Sequence, residues 1–165
     1  MYRFKTNPDR TYFSPMHKRH SQKLQTNLYA HLTEEEARNI MIDDRLEDSC
    51  LCAYTNPHHA RNMYELYEQA HEYDDIYMIM EVRVIHEPGK ELYITNLNID
   101  PAYDAMWPDV MQYILEYARA AKRQKVTSRG DSRWRQREVV RDVLLKAGFE
   151  EMRFRGGTLN YTFTL

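Results

Sequence analysis

Apolar and polar residues alternate most regularly between Ile76 and Ile99. Ile76 to Ile85 reads as a strong strand, Glu87-Pro88-Gly89-Lys90 as a turn and Leu92 to Ile99 as the partner strand, so 76–99 predicts an antiparallel hairpin ended by Asp100-Pro101. Before it, Thr33-Glu34-Glu35-Glu36 is a capping box with acids in the first turn, which predicts a helix to about Arg45. Ser49 to Tyr54 predicts a short strand. Asn56-Pro57 starts a second helix with Pro at its first position, and Met63, Leu66, Tyr67 and Ala70 recur on one face. After the hairpin, Trp107-Pro108-Asp109 opens a third helix over 108–124, with Met111, Ile114, Leu115 and Ala118 as its buried stripe. Val126 to Ser128 predicts a strand. A basic amphipathic helix then runs from about Ser132 to Ala147, and Gly148 takes the left-handed position that stops it. Met152 to Arg155 and Thr158 to Leu165 predict a last hairpin, closed by Gly156-Gly157 in a two-residue primed turn.

A strand, a crossover helix and a strand (92–99, 108–124, 126–128) demand at least one parallel pair. The expected fold is therefore α+β: a mixed, twisted sheet with helices on both faces. At 165 residues the chain is long enough for one core. The expected division is a basic arm over 1–30 and one domain over 31–165.

Charge changes this picture by its distribution. The net charge is −2. Residues 1–30 carry +5, residues 31–110 carry −13 and residues 111–165 carry +6. Folded together, such segments put basic and acidic surfaces side by side, and the basic end favours anionic ligands. No apolar run approaches the length of a membrane-spanning helix, and Met1-Tyr2-Arg3-Phe4-Lys5 lacks a secretory apolar stretch. The two cysteines, Cys50 and Cys52, fall on one side of a strand, where a disulfide would be strained. Reduced thiols and a cytoplasmic location are the expectation. Cys-x-Cys with His17, His20, His58 and His59 is a poor zinc pattern, so no metal is expected.

Two motifs carry a family resemblance. Tyr93-Ile94-Thr95-Asn96-Leu97-Asn98-Ile99-Asp100-Pro101 resembles the fourth strand of the GNAT superfamily of acyl-CoA-dependent N-acyltransferases, with Leu97, Ile99 and Pro101 matching its Leu-x-Val-x-Pro ending. Leu145-Lys146-Ala147-Gly148-Phe149-Glu150 resembles the family's helix-to-strand ending. With the element order, the resemblance covers roughly 31–165. It implies a strand that parts from its neighbour and takes the pantetheine arm of acetyl-CoA or another acyl-CoA on the backbone of Leu97, Asn98 and Ile99. The phosphate loop departs from the family. Asp104-Ala105-Met106-Trp107-Pro108-Asp109 stands where glycines usually admit pyrophosphate, so Trp107 and Asp109 face it with bulk and negative charge. Thr95 stands where many members place a Glu base, and Leu144 where many place a Tyr acid. Remaining polar candidates for catalysis are Tyr93, Thr95, Asn96 and Tyr103.

The resemblance thus implies a divergent N-acyltransferase acting on an amine-bearing small molecule or protein, with backbone N–H near Leu97 to Ile99 steadying the oxyanion. The competing class is an inactive scaffold that binds protein or nucleic acid. Arg129, Arg133, Arg135, Arg137 and Arg141, with Trp134 among them, would serve a polyanion. Tyr64, Tyr67, Tyr73 and Tyr77 would serve a protein interface.

Overall fold

The computed structural model describes residues 2–3, 32–130 and 137–165. The strands are β1 (Tyr2–Arg3), β2 (Ile40–Arg45), β3 (Cys50–Thr55), β4 (Tyr77–Glu87), β5 (Glu91–Ile99), β6 (Lys125–Gly130), β7 (Glu150–Arg153) and β8 (Leu159–Thr164). The helices are α1 (Glu34–Arg38), α2 (Met63–Glu72), α3 (Trp107–Ala120) and α4 (Arg137–Lys146). The sheet runs β2-β3-β4-β5-β6-β8-β7, antiparallel except for the parallel β5/β6 pair. This is the mixed α+β sheet the element order predicts, and α3 is the crossover that its parallel pair needs.

Alternation on β3 explains why helices cover both faces. Leu51 and Ala53 point into the main core with α3 and α4. Cys50, Cys52 and Tyr54 point the other way, into a smaller core closed by Leu66 of α2. The stripe of α3 is buried as predicted: Met111, Ile114, Leu115 and Ala118, joined by Val110 and Tyr113. The 76–99 hairpin also forms, with Glu87 opposite Glu91 at the turn. Gly148 ends α4 with φ +100, while Phe149 N–H reaches back to the Leu144 carbonyl at 3.0 Å.

Three predicted elements differ. The Thr33 capping box forms, with Glu36 N–H on Thr33 Oγ1 at 3.1 Å and Thr33 N–H on Glu36 Oε1 at 3.1 Å. However, α1 stops at Arg38 rather than Arg45. Residues Ile40 and Ile42 gain more as the buried side of β2, paired with β3 from Ile40↔Thr55 to Arg45↔Cys50. The second helix starts at Met63, capped by Asn62 Oδ1 on Glu65 N–H at 2.9 Å, and not at Pro57. The side chain of Asn56 is buried and holds both the N–H (2.8 Å) and the C=O (3.0 Å) of Ala60, which closes 56–60 into a loop. The last hairpin has a three-residue loop. Phe154 N–H still bonds the Thr158 carbonyl at 2.8 Å, and Gly156 and Gly157 supply φ of +89 and +84. The N-terminal arm and the start of the basic helix near Ser132 lie outside the described residues, apart from β1.

Candidate active site

The parallel pairing of β5 with β6 is short. It runs from Glu91↔Lys125 to Ile94↔Ser128 and stops, although β5 continues to Ile99. Strand β6 meanwhile stays with β8 through Arg129↔Asn160 and Gly130↔Leu159. The two strands therefore part after Ile94. Two features hold the fork. Against β4, Arg83 faces Asn96 and Val84 faces Ile94, so Thr95 is the extra residue of a β-bulge. Next to it, the buried Ser128 hydroxyl donates to the Ile94 carbonyl at 3.2 Å.

The bulge explains an irregularity in burial. Leu92 and Ile94 are buried before it, and Leu97 and Ile99 after it. A strict period of two would have turned the second pair to the opposite face. Beyond the bulge, Asp100 N–H bonds the Ile79 carbonyl at 2.8 Å. Alternation then turns the backbone of Asn98 and Asn96 towards β4, and the N–H and C=O of Leu97 and Ile99 away from it, into the fork. Strand β1 sits nearby. Because β3 already holds one edge of β4 at Met78, Tyr2↔Met78 places β1 on the edge that β5 leaves after Ile99.

On the face opposite the main core, side chains near the fork form a polar chain. Asn96 donates to Glu81, and Asn98 donates to Asn96 Oδ1 at 2.5 Å. Glu81 lies on β4 directly opposite Asn98, its side chain 24% exposed, with Arg83 Nη2 at 3.8 Å. Sequence reasoning missed this carboxylate because it looked for a base on β5. The signal was there: Glu81 and Arg83 are charged positions inside the apolar alternation of a central strand. Tyr93 is half-buried on β5, with the Arg129 guanidinium 5.8 Å from its ring centroid. Cys52 stands opposite Glu81 on β3, but its hydrogen bond with Cys50 (Sγ to Sγ 2.8 Å) and burial push its thiol well up. It is no nucleophile near neutral pH.

The remaining predicted site residues fall elsewhere. Tyr103 lies in the 3₁₀ turn Pro101–Met106 and packs against the main core; burial, then Asp100 and Glu36, raise its pKa, so it stays protonated. Trp107 is buried (4% exposed) and Asp109 occupies the first turn of α3. The segment predicted to oppose pyrophosphate thus folds as a compact turn, with Met106 and Trp107 driven into the core. Beside it, α3 and α4 enclose a groove of about 530 Å³ lined by Trp107, Met111, Leu115, Val139 and Val143, with Arg119 and Lys146 among its polar residues. Of the arginines assigned to a polyanion, Arg141 is held by Glu151 (2.7 and 3.2 Å) and Arg129 lies over Tyr93. Arg133 and Arg135 lie outside the described residues, as does the side chain of Arg137. Tyr73 stacks on His58 with centroids 3.8 Å apart, and Tyr64 is exposed.

No protein-family model matches the chain. No curated protein matches it either. Among solved structures it is similar to a putative GNAT-family acetyltransferase from Desulfovibrio desulfuricans, at 11% identity over 93% of this chain and 84% of that one, TM-score 0.45. It is similar to aminoglycoside 6'-acetyltransferase type Ii at 10% identity over 98% and 95% of the two chains, TM-score 0.47. A Bacillus subtilis acetyltransferase solved in complex with CoA matches 77% of this chain and 98% of its own at 11% identity, TM-score 0.42.

Proposed function

We propose that this chain is an acyl-CoA-dependent N-acyltransferase of divergent mechanism. The observation that carries the reading is the fork between β5 and β6, with the N–H and C=O of Leu97 and Ile99 facing into it. An extended amide chain such as a pantetheine arm can add to that edge as a further strand does. Leu97, Asn98 and Ile99 would hold the thioester donor there, leaving a backbone N–H beside its carbonyl oxygen.

Glu81 is the strongest candidate for the base. It replaces the missing carboxylate at Thr95 from the neighbouring strand, and Asn96 and Asn98 extend its hydrogen bonds along the lip of the fork. The amine nitrogen attacks the carbonyl carbon, forming the C–N bond. Glu81 takes the amine proton, directly or through water. The C–S bond breaks, and the departing thiolate is protonated from solvent or by Tyr93. The turn Pro101–Met106 and the acids Asp104 and Asp109 do not fit a pyrophosphate held in the family's usual way. Coenzyme affinity should therefore be low, and the acceptor is an amine of a small molecule or a protein.

The test is release of free thiol from acetyl-CoA and longer acyl-CoAs in the presence of a panel of amines. Glu81→Gln should lower kcat by about 100-fold or more while the fold is retained. An absence of amine-dependent thiol release with every donor, or an unchanged kcat in Glu81→Gln, would overturn the reading or its base respectively.

A further inference from the structure

At the far end of the sheet, β7 is an edge strand: among the described residues, nothing pairs with its outer side. Its directions follow from one bond. Phe154 N–H turns inward to the Thr158 carbonyl, continuing the β7/β8 register. By alternation the backbone of Met152 and Glu150 also turns inward, and the N–H and C=O of Glu151 and Arg153 point outward. On the face opposite Glu151 the strand exposes Met152 (62%) and, just beyond it, Phe154 (47%).

We infer that β7 pairs antiparallel with β7 of a second copy, about a twofold axis at Met152, so that one sheet continues through two molecules. Parity restricts the register, because residues opposite one another must both turn outward or both inward. Three such registers bring outward-facing residues of the short strands opposite one another. One sets Glu151 against its own copy, and another sets Arg153 against its own copy, each opposing like charges. The third sets Glu151 against Arg153 of the second copy, twice, and Met152 against Met152. Only this register is charge-complementary. It gives Arg153 a carboxylate, lets Glu151 bridge Arg141 and the incoming guanidinium, and covers the most exposed apolar side chain of the edge. The occupant is a second copy because the sequence Glu151-Met152-Arg153 is complementary to itself when reversed.

The twofold position gives a sharp test. Met152 and its copy form the pair without hydrogen bonds between them, with Cα atoms about 4.5 Å apart, inside the range a disulfide spans. In Met152→Cys, mild oxidation should give a disulfide-linked dimer on a non-reducing gel, whereas Arg153→Cys, two residues out of register with its copy, should not. Sedimentation equilibrium of the unaltered protein should approach twice 19.9 kDa as concentration rises. Arg153→Glu and Glu151→Lys should each lower the mass to one chain, and an equimolar mixture should recover the double mass, since each variant then opposes the other with unlike charges. Arg153 is exposed, so Arg153→Glu leaves the fold intact even if Glu151→Lys does not. A single-chain mass at every concentration, a dimer indifferent to both charge changes, or equal cross-linking through Arg153→Cys would overturn the proposal.

Discussion

Asp44 is the residue whose chemistry is most at odds with its place. It is fully buried under α3, accepts from Tyr113 Oη and from Leu46 N–H (3.3 Å), and burial lifts its pKa from the usual 3.8 to about 7. Below pH about 4 folded and unfolded chains both hold the proton, and Asp44 is neutral to stability. Between about 4 and 7 only the folded chain keeps it, so stability falls as pH rises, by roughly 4 kcal/mol in total. Urea unfolding at pH 4.5 and 7.5, values about either end of that window, should show the drop, and Asp44→Asn should flatten it. Gly148 is a second sensitive residue. At φ +100 a Cβ would sit 3.2 Å from Phe163 Cε2, so Gly148→Ala should cost about 1–3 kcal/mol in the same assay. Ser128→Ala removes the hydroxyl that pins the fork at Ile94. It should cost about 1 kcal/mol of stability, and raise KM for the thioester more than it lowers kcat.

Among elements, α2 hangs on a single anchor: Leu66 is its only fully buried side chain. Leu66→Ala should lose about 2–4 kcal/mol, read by urea unfolding. For the proposed coenzyme, the turn Pro101–Met106 is the element expected to limit affinity. Acetyl-CoA should bind no tighter than ~100 μM, so micromolar ligand should leave Tm unchanged. A clear shift would show that phosphate finds another seat. Elements whose signals are local were legible in the sequence: the Thr33 box, the β4/β5 hairpin, the α3 stripe and the Gly148 stop. Those decided by long-range pairing were not. Ile40 to Arg45 has acids that suit a helix surface, yet β3 recruits it as a strand, burying Asp43 against Arg45 at 3.0 and 2.8 Å. Asn56-Pro57 carries a start signal that the Asn56–Ala60 loop uses differently. The proposed site was half legible. The motif pointed to Leu97 and Ile99, which line the fork, and the slip from even to odd apolar positions at Thr95 was a readable sign of the bulge. Glu81 needed the strand pairing, because only register brings it to Asn96 and Asn98.

Over the whole molecule, charge segregation along the chain is partly undone by folding. Lys125–Glu91 joins the basic 111–165 stretch to the acidic 31–110 one, whereas Arg141–Glu151 and Lys146–Asp142 pair charges inside 111–165. Hydrogen exchange should grade the sheet by position. Amides of β3, β4 and the paired part of β5 should be slowest, β7 faster, and those of Leu97 and Ile99 faster than their neighbours until a thioester donor protects them. Equal protection of Leu97 and Asn98 in the free protein would contradict an open fork. No described helix is long and apolar enough to cross a membrane. The parallel contact that begins the fork has one more consequence, for the order of assembly. Strands β2 to β5 form one antiparallel run, and β6, β8 and β7 another; among the described residues the strand ladder that joins them has four pairs, Glu91↔Lys125 to Ile94↔Ser128. Each bridges a separation of 34 residues with α3 looped between, so the two half-sheets meet only after that loop has closed. Refolding should therefore form the β4/β5 hairpin first and knit the central seam late. The fork would then be the last part of the protein to come into being and, under load or heat, the first line along which it parts.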